Sequence, residues 1–283
     1  MNRYLILIIT LLSFLLMPAE SLSAKKKKKA EDIPHDPPTP DLRIPALKSQ
    51  KPLQAVHELS NPSMAKKNVH IVATAQGNHT AQERGGIDVS HYQGQINWST
   101  VARTGKVLYA FCKATESNTI LDNTFVFNVR EARKAGIPVG CYHFFRPNVS
   151  GKAQIEHFIK SVDMSTQDVL PMLDIEVRGK ESLEEFHEEI RVWLKTFEAH
   201  YHFKPIIYAS LNFYNKYLAG AFDDYIYMIA KYGDGTPNPK GQIPFAMWQY
   251  TSNGSVEGIK GRVDMSCFID HFDVKDILIK NHK

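Results

Sequence analysis

The chain of 283 residues has the composition of a globular protein, with 43% hydrophobic and 23% charged residues, and is long enough for one large domain or two small ones. Its formal net charge of +4 is accounted for by one run, Lys25 to Lys29, so the rest of the chain is close to neutral. Because no basic face remains for a polyanion, this charge distribution argues against nucleic-acid binding.

The first 24 residues have the order of a secretory signal peptide. Arg3 precedes an apolar run from Tyr4 to Met17, and small and polar residues follow through Ala24. This run of about 14 residues is shorter than the ~20 that span a bilayer as a helix, which favours a cleaved signal over a membrane anchor. We therefore predict a protein exported to the periplasm or the extracellular space, without stable membrane insertion after cleavage.

Residues 25–83 do not resemble a folded domain. The lysine run is followed by several prolines between Pro34 and Pro45, with few aromatic side chains and no sustained periodicity. Such a composition is typical of a linker that does not bury a core of its own. We predict a disordered Lys/Pro-rich tether over residues 25–83 and a single folded domain over residues 84–277.

From Gly85 onward, apolar strand-like runs alternate with segments of helical periodicity. The eight predicted strands are Gly86–Val89, Val107–Lys113, Pro138–His143, Val169–Glu176, Pro205–Ala209, Ile226–Ala230, Phe245–Tyr250 and Arg262–Asp264. Helices are predicted over Asn123–Ala135, from the capping box Ser182–Glu185, and over Asn212–Ala219. Helices accompany only the first five strands, and long apolar strands favour a parallel sheet. These features predict an α/β fold, an incomplete TIM-like (β/α)5β3 barrel.

Four acidic residues stand at predicted strand ends, the edge at which such barrels carry their active sites. Asp88 ends strand one, Asp174 and Glu176 end strand four, and Asp264 ends strand eight. Because side chains alternate along a strand, Asp174 and Glu176 should face the barrel mouth together. Closure of the barrel would bring Asp88 close to Asp264.

Clustered carboxyl groups raise at least one pKa, so a protonated acid can lie beside an ionised partner near neutral pH. Glycoside cleavage needs this combination, since one group protonates the leaving oxygen while the other stabilises developing charge or directs the attacking group. The alternatives are acids paired with Lys or Arg at the barrel mouth, or ligands for a cation.

Aromatic and polar side chains stand near the other strand ends. They are Tyr142 and Phe144 at the end of strand three, Tyr208 at the end of strand five, Tyr232 after strand six, and Trp248 and Gln249 at the end of strand seven. A single ring of this kind is more typical of core packing, but aromatic faces also stack on the apolar faces of sugar rings. Together these residues predict a sugar-binding groove.

The three cysteines, Cys112, Cys141 and Cys267, show neither CxxC spacing nor a His-rich neighbourhood. An odd number of cysteines in an exported chain leaves at least one without a disulfide partner. We predict buried thiols that act as small hydrophobic groups, with no metal site and no cofactor.

From about Arg84 to Val274 the chain resembles the muramidases of glycoside hydrolase family 25. The matching stretches are Gly86–Ser90 with Ile96–Trp98, Phe111–Glu116, Ala135–Gly140 with Tyr142–Phe144, Leu173–Glu176, Trp248–Tyr250 and Val263–Asp264. The resemblance implies an incomplete barrel of eight strands and five helices. It also implies hydrolysis of the β-1,4 bond between N-acetylmuramic acid and N-acetylglucosamine, with peptidoglycan glycan strands as the partner.

By this resemblance Glu176 is the general acid/base. Asp174 either orients the 2-acetamido group of the substrate as an internal nucleophile or stabilises charge directly. Asp88 and Asp264 match the remaining acids of the family at the barrel mouth.

The resemblance also implies which residues line part of the substrate cleft. Tyr142, Tyr208 and Trp248 match positions that line it in the family. The family usually has Trp where Met228 stands and Gly where Ser117 stands, and these departures bear on the sugar subsites rather than on the chemistry.

Three other interpretations are compatible with the sequence. A barrel that kept the groove but lost turnover would be a wall-binding module, although a pure binder need not keep the proton donor. An endo-hydrolase of another N-acetylhexosamine polymer, such as chitin, would use the same acids. A metal-dependent phosphodiesterase would need histidine ligands near them, and His91 and His143 lie near strand ends. Nothing in the sequence indicates an oligomer interface, so a monomer is predicted.

Overall fold

Residues 85–283 are described by a computed structural model of the chain. The predicted signal peptide (1–24) and tether (25–83) lie outside the described residues. Within residues 85–283, no helix is both long enough and apolar enough to cross a membrane.

Eight strands close into a barrel, and a short ninth strand extends one of them. The strands are β1 Gly85–Val89, β2 Val107–Glu116, β3 Ile120–Leu121, β4 Val139–Phe144, β5 Met172–Asp174, β6 Ile206–Ser210, β7 Tyr227–Ala230, β8 Phe245–Gly254 and β9 Val263–Phe268. Their order is β1-β9-β8-β7-β6-β5-β4-β2-β3, and parallel pairing of β1 with β2 closes the circuit. All eight predicted strands are present, and the β3 hairpin extension was not predicted. The strand predicted over Val169–Glu176 is shorter in the structure: β5 ends at Asp174, so Glu176 lies two residues beyond the strand that it was predicted to end.

The last strand runs against its neighbours. Pairing is parallel between β1 and β2, between β2 and β4, and between each pair of neighbours from β4 to β8. Strand β9, in contrast, is antiparallel to both β1 and β8. The prediction that Asp264 ends its strand is therefore wrong, because Asp264 lies at the beginning of β9. The start of a reversed strand reaches the same edge as the ends of its parallel neighbours. Asp264 consequently lies in register with Asp88 at the barrel mouth.

Helices occupy the connections that follow the first five parallel strands. They are α1 Trp98–Arg103, α2 Phe125–Lys134, α3 Gly151–Ser161, α4 Leu183–Tyr201 and α5 Leu211–Phe213, which continues as a π-helical turn over Tyr214–Leu218. The predicted single helix over Asn212–Ala219 is thus divided into two kinds of turn. The connections after β7 and β8 contain no helix, as their Pro/Gly-rich sequences predicted.

The longest helix, α4, packs an aromatic stripe against the sheet. Its predicted core positions are all buried: Phe186, Ile190, Trp193, Leu194 and Phe197. They recur three or four residues apart, which places them on one face of the helix. Trp193 stacks on Phe197 with ring centroids 5.4 Å apart and on His143 of β4 at 5.6 Å. This packing fixes the outer side of β4, whose end contributes to the barrel mouth.

The C-terminal segment covers the opposite end of the barrel. Ile277 and Ile279 are buried in the core, and the backbone N–H of Leu170 donates to the Ile277 carbonyl at 2.8 Å. Leu170 precedes β5, so this contact is at the amino ends of the parallel strands. Buried packing therefore continues to Ile279, two residues beyond the predicted boundary at 277.

The cysteines occupy the core. Cys112 and Cys141 are fully buried and lie in register on the neighbouring strands β2 and β4, and Cys267 is buried in β9. Their burial agrees with the prediction that they pack as small hydrophobic groups.

The capping box predicted for α4 is present. Ser182 Oγ accepts from the Glu185 backbone N–H at 3.2 Å, and Glu185 Oε2 accepts from the Ser182 backbone N–H at 2.8 Å. We expect Ser182→Ala to lower the free energy of unfolding by about 1 kcal/mol, because it leaves N–H groups of the first turn without a partner. Urea unfolding followed by circular dichroism measures the change. Ser182→Asp retains a capping oxygen and should stay near wild type; an equal loss in both variants would contradict this role of the cap.

Candidate active site

A cavity of about 220 Å³ opens at the carboxyl ends of the parallel strands. All four predicted acids and four of the six predicted sugar-contacting residues line it: Asp88, Asp174, Glu176, Asp264, Tyr142, Phe144, Tyr208 and Gln249. Strands from around the barrel contribute them, so the side chains meet only because the barrel closes.

The two remaining predicted residues lie elsewhere. Tyr232 is half exposed beside the cavity, and its hydroxyl donates to Gln249 Oε1 at 2.7 Å. Trp248 does not line the cavity, contrary to the prediction. It packs against Cys267 and Ile269, and its indole N–H donates to the Lys231 carbonyl at 2.9 Å. Since successive residues of a strand point to opposite faces, placing Gln249 at the mouth turns Trp248 away.

Asp174 and Glu176 form a hydrogen-bonded pair at two depths of the cavity. Asp174 is 5% exposed, whereas Glu176 reaches solvent at the mouth. Burial raises the pKa of Asp174 well above its usual value, and the charge of Glu176 adds to this effect. Loss of hydration in the cavity also raises the pKa of Glu176. The hydrogen bond from Asp174 partly opposes this effect, and the charge of Asp264 adds to it. The pair therefore retains one proton at a pH where isolated carboxyl groups have lost both.

Asp88 and Asp264 form a second acidic pair across the β1–β9 ladder. Burial raises the pKa of Asp88 to about 7, an effect that the hydrogen bond from Gln249 opposes and the charge of Asp264 reinforces. Burial likewise raises the pKa of Asp264 to about 6. Asp88 Oδ1 is buried and has no hydrogen-bond partner among the described residues. The residue itself is among those that line the cavity.

Gln249 holds Asp88 in place. Its Oε1 accepts from the hydroxyls of Tyr208 at 2.9 Å and Tyr232 at 2.7 Å. With the carbonyl side of the amide occupied by two phenol donors, Nε2 is directed to Asp88 Oδ2 at 2.7 Å. The half-exposed Tyr232 is thus connected to a buried acid through one amide group.

Comparison with known families identifies the barrel. The sequence model of Glycosyl hydrolases family 25 matches residues 87–259, which include the first three of the four predicted acids. The chain belongs to this family. It is therefore a glycoside hydrolase, and the interpretation as a non-catalytic binding module is not supported.

Relatives and solved structures agree with this assignment. The chain is 38% identical over 187 residues to "Uncharacterized protein YegX" of Escherichia coli K12, which covers 65% of this chain and 68% of that protein. It is 35% identical over 198 residues to "Lysozyme M1" of Streptomyces globisporus, covering 65% and 67%. A family 25 glycosyl hydrolase from Bacillus anthracis superposes with a TM-score of 0.63 at 28% identity, covering 71% of this chain and 94% of that one.

Sequence reasoning missed six of the residues that line the cavity of this family 25 enzyme, and two of them, Lys113 and Tyr92, bear directly on the site. Lys113 of β2 is only 6% exposed and lines the cavity beside the acids. A lone lysine inside the apolar run Val107–Glu116 was the available signal, because a buried lysine needs a nearby anion. Tyr92, in the short 3₁₀ turn His91–Gln93 that comes after β1, is 65% exposed on the cavity wall.

The two departures from the usual family sequence have different local consequences. Ser117 adopts a left-handed backbone conformation (φ 55°), which a glycine takes without steric cost and which costs other residues roughly 1–2 kcal/mol. Met228 is fully buried in β7, in register with Tyr208 of β6. Met228 therefore supports the strand that carries Tyr208.

The two histidines near strand ends, His91 and His143, form hydrogen bonds with residues other than the four acids of the cavity. His91 Nδ1 lies 2.8 Å from Asp122 Oδ2. His143 is fully buried, with its ring nitrogens near Thr115 and Gln154, and burial lowers its pKa to about 3. Within residues 85–283, no three His, Cys, Asp or Glu side chains are grouped closely enough to hold a metal ion.

Burial of Asp88 makes stability depend on pH. The folded state keeps a proton that the unfolded chain releases near pH 3.8, so the free energy of unfolding falls as the pH rises from about 4 to 7. We expect Asp88→Asn to remove this cost and to raise the free energy of unfolding at pH 8 by about 2–4 kcal/mol. The gain should be smaller at pH 5.

Urea unfolding at pH 5 and pH 8 measures this difference. Asp234→Asn, at an exposed carboxyl group outside the cavity, is the matched control and should change stability little at either pH. A gain for Asp88→Asn that is the same at both pH values would contradict the assignment of a raised pKa to Asp88.

Proposed function

We propose that this family 25 enzyme is an exported muramidase that hydrolyses the β-1,4 bond between N-acetylmuramic acid and N-acetylglucosamine in peptidoglycan. The observation that carries the proposal is the hydrogen-bonded Asp174–Glu176 pair at the mouth of a cavity with aromatic walls. "Lysozyme M1" and the "Autolytic lysozyme" of Clostridium acetobutylicum, both relatives by sequence, support the choice of substrate. The positions of α1–α5 support the (β/α)5β3 description of the barrel.

Glu176 is the proton donor in this proposal. It reaches the open side of the cavity, where a glycosidic oxygen can approach it. Its raised pKa keeps it protonated to a higher pH than an isolated glutamic acid. As the bond from the anomeric carbon to the leaving oxygen breaks, Glu176 gives its proton to that oxygen. The resulting carboxylate then accepts a proton from the water that attacks the anomeric carbon.

Asp174 orients the substrate 2-acetamido group. Its Oδ1 is buried, lacks a hydrogen-bond partner among residues 85–283, and belongs to a side chain that lines the cavity. An acetamido N–H would satisfy this oxygen and would direct the acetamido carbonyl towards the anomeric carbon. That carbonyl oxygen forms a bond to the anomeric carbon as the leaving oxygen departs, and water later breaks the new bond.

Aromatic side chains supply the sugar-binding surface. Tyr142, Phe144 and Tyr208 line the cavity, and Tyr92 and Tyr232 present half or more of their surface to solvent beside it. Rings at two levels suit a polymer that must enter with one sugar deep in the cavity and its neighbours nearer the surface. Asp88 and Asp264 complete the site as contacts for polar groups of the sugars.

The remaining parts of the proposal concern the whole chain. Residues 1–24 act as the export signal, residues 25–83 connect to the catalytic domain at 84–277, and the enzyme acts as a monomer without a cofactor. Export agrees with the substrate, because peptidoglycan lies outside the cytoplasmic membrane.

We expect Glu176→Gln to reduce hydrolysis by about 10²–10⁴-fold, since an amide cannot act as the general acid. The measurement is digestion of purified peptidoglycan, with the products reduced and weighed by mass spectrometry. Muropeptides ending in reduced muramic acid should appear with the wild type and be nearly absent with the variant. The exposed Glu257→Gln is the matched control.

Each other outcome has a distinct meaning. Products that end in reduced glucosamine would refute cleavage at muramic acid, and an intact polymer with the wild type would refute the muramidase proposal. Chitin oligomers would then be the next substrate. Turnover by Glu176→Gln close to the wild-type rate would exclude Glu176 as the proton donor.

We expect Asp174→Asn to be equally severe in kcat, by about 10²-fold or more, because an amide cannot carry the negative charge that Asp174 bears while Glu176 holds the shared proton, and this charge aligns the acetamido group and balances the developing cation. Steady-state kinetics on soluble muropeptide oligomers measure kcat and KM separately. A kcat within a few-fold of wild type would show that the acetamido group needs no carboxylate partner. Circular dichroism at both pH 5 and pH 8 checks that the variant is folded.

A further inference from the structure

Three buried charged side chains lie beside the acid pair and take no part in the proposed chemistry. Lys113 and Glu116 are on β2, and Arg146 follows β4; together we call them the Glu116 triad. Glu116 Oε2 lies 2.6 Å from Lys113 Nζ, and Glu116 Oε1 accepts from Arg146 Nε at 2.7 Å. The side chains are only 7%, 6% and 15% exposed for Lys113, Glu116 and Arg146. One carboxylate therefore holds two cations in a water-poor environment.

The triad is fixed in space by an aromatic ring. The Arg146 guanidinium lies 4.4 Å from the centroid of the Phe144 ring, and Lys113 Nζ lies 5.6 Å from it. Phe144 and Lys113 also line the cavity that contains Asp174 and Glu176. The two cations are consequently held in one geometry at the wall of the catalytic cavity. A mobile, solvent-exposed ion pair would instead be screened by water and salt.

The charge balance of the triad distinguishes it from a purely structural ion pair. Two cations on one carboxylate leave one positive charge in excess, and burial of that charge is costly unless other anions are near. The Asp174–Glu176 pair supplies such an anion when it holds a single proton. Lys113 lowers the pKa of Asp174, and Arg146 lowers the pKa of Glu176, each against the larger effect of burial.

We propose that the Glu116 triad is a positioning device that sets the pH range in which the Asp174–Glu176 pair holds a single proton. Lys113, Glu116 and Arg146 act through the two acids and do not themselves touch the reacting atoms. The inference deepens the proposed muramidase function and rests on it where activity is the measurement.

Other groups also face the acid pair, and they determine the background against which the triad acts. The charges of Asp88 and Asp264 oppose ionisation of the pair, and the phenols nearby are kept neutral by burial: Tyr142, Tyr208 and Tyr232. Lys113 and Arg146 are the cations that act on the two acids. Without them, four carboxyl groups in one cavity would keep their protons to a higher pH.

Removing a cation of the triad and removing the charge of Glu116 should shift the pH profile of activity in opposite directions. Removing a cation raises both pKa values of the acid pair, so the bell-shaped pH profile of kcat/KM moves to higher pH. Removing the charge of Glu116 leaves both cations uncompensated, so the same profile moves to lower pH. A merely structural cluster would lower activity in every variant without moving the profile in either direction.

The experiment compares pH profiles of kcat/KM on peptidoglycan for the full chain and its variants. We expect shifts of about 1 pH unit to higher pH for Arg146→Met and Lys113→Met, and a shift to lower pH for Glu116→Gln. Arg146→Lys keeps the charge and should return the profile to within about 0.3 pH units of wild type. Arg133→Met is the control, because its partner Asp168, at 3.1 Å, lies away from the catalytic cavity.

A second measurement does not depend on activity. Carboxyl ¹³C NMR titration of Asp174 and Glu176, in wild type, Arg146→Lys, Arg146→Met and Glu116→Gln, reports the same shifts without substrate. If the wild type cleaves no peptidoglycan, the muramidase proposal fails while this titration still decides on the triad. Arg146 is the most exposed member, so its two variants test the proposal even if Lys113→Met does not fold. Unmoved titrations, or profiles that lose height without shifting, would overturn it.

Discussion

The burial of four carboxyl groups in one cavity, reinforced by their mutual repulsion, is the constraint on which the site depends. Asp88, Asp174 and Asp264 come from three separate strands, and only the closed barrel brings them together. Closure in turn depends on β9, which must run antiparallel for its first residues to reach the mouth. The topology and the electrostatics are therefore linked, because the strand that completes the sheet also delivers the fourth acid.

The same burial that prepares the acids for chemistry opposes the stability of the fold. A carboxyl group whose pKa is raised by burial is less well accommodated when it ionises, and the cavity contains several. The enzyme limits this cost locally. Gln249 donates to Asp88, and the Glu116 triad places its excess positive charge beside Asp174 and Glu176. In addition to any contact with substrate, these polar groups favour the ionised forms of the acids and so lower their pKa values.

Features encoded by local periodicity could be predicted from the sequence, whereas features set by strand direction could not. The apolar runs gave eight strands, and Ser182–Glu185 gave the start of α4. The acids were placed at the mouth because they stand at the ends of apolar runs. Nothing local showed that β9 is reversed, since its direction depends on pairing with distant strands. Alternation along the strand does show that Trp248 and Gln249 cannot both face the mouth, but it does not show which of them does. Lys113 was overlooked although its partner Glu116 is only three residues away in sequence, because its position in the cavity with Asp174 and Glu176 arises only in the fold.

The spacing of Asp174 and Glu176 shows how one strand can divide two roles. Residues two apart on a strand face the same side but are separated by about 6.6 Å along it. Asp174 is the last residue of β5 and Glu176 lies two residues beyond it, so the two carboxyl groups lie at different depths: Asp174 is buried while Glu176 reaches solvent. Adjacent acids would face opposite sides, and a longer spacing would place the second acid further from the strand end. A DxE sequence at this position therefore supplies one acid that meets the substrate and one that remains desolvated beneath it, close enough to share a proton.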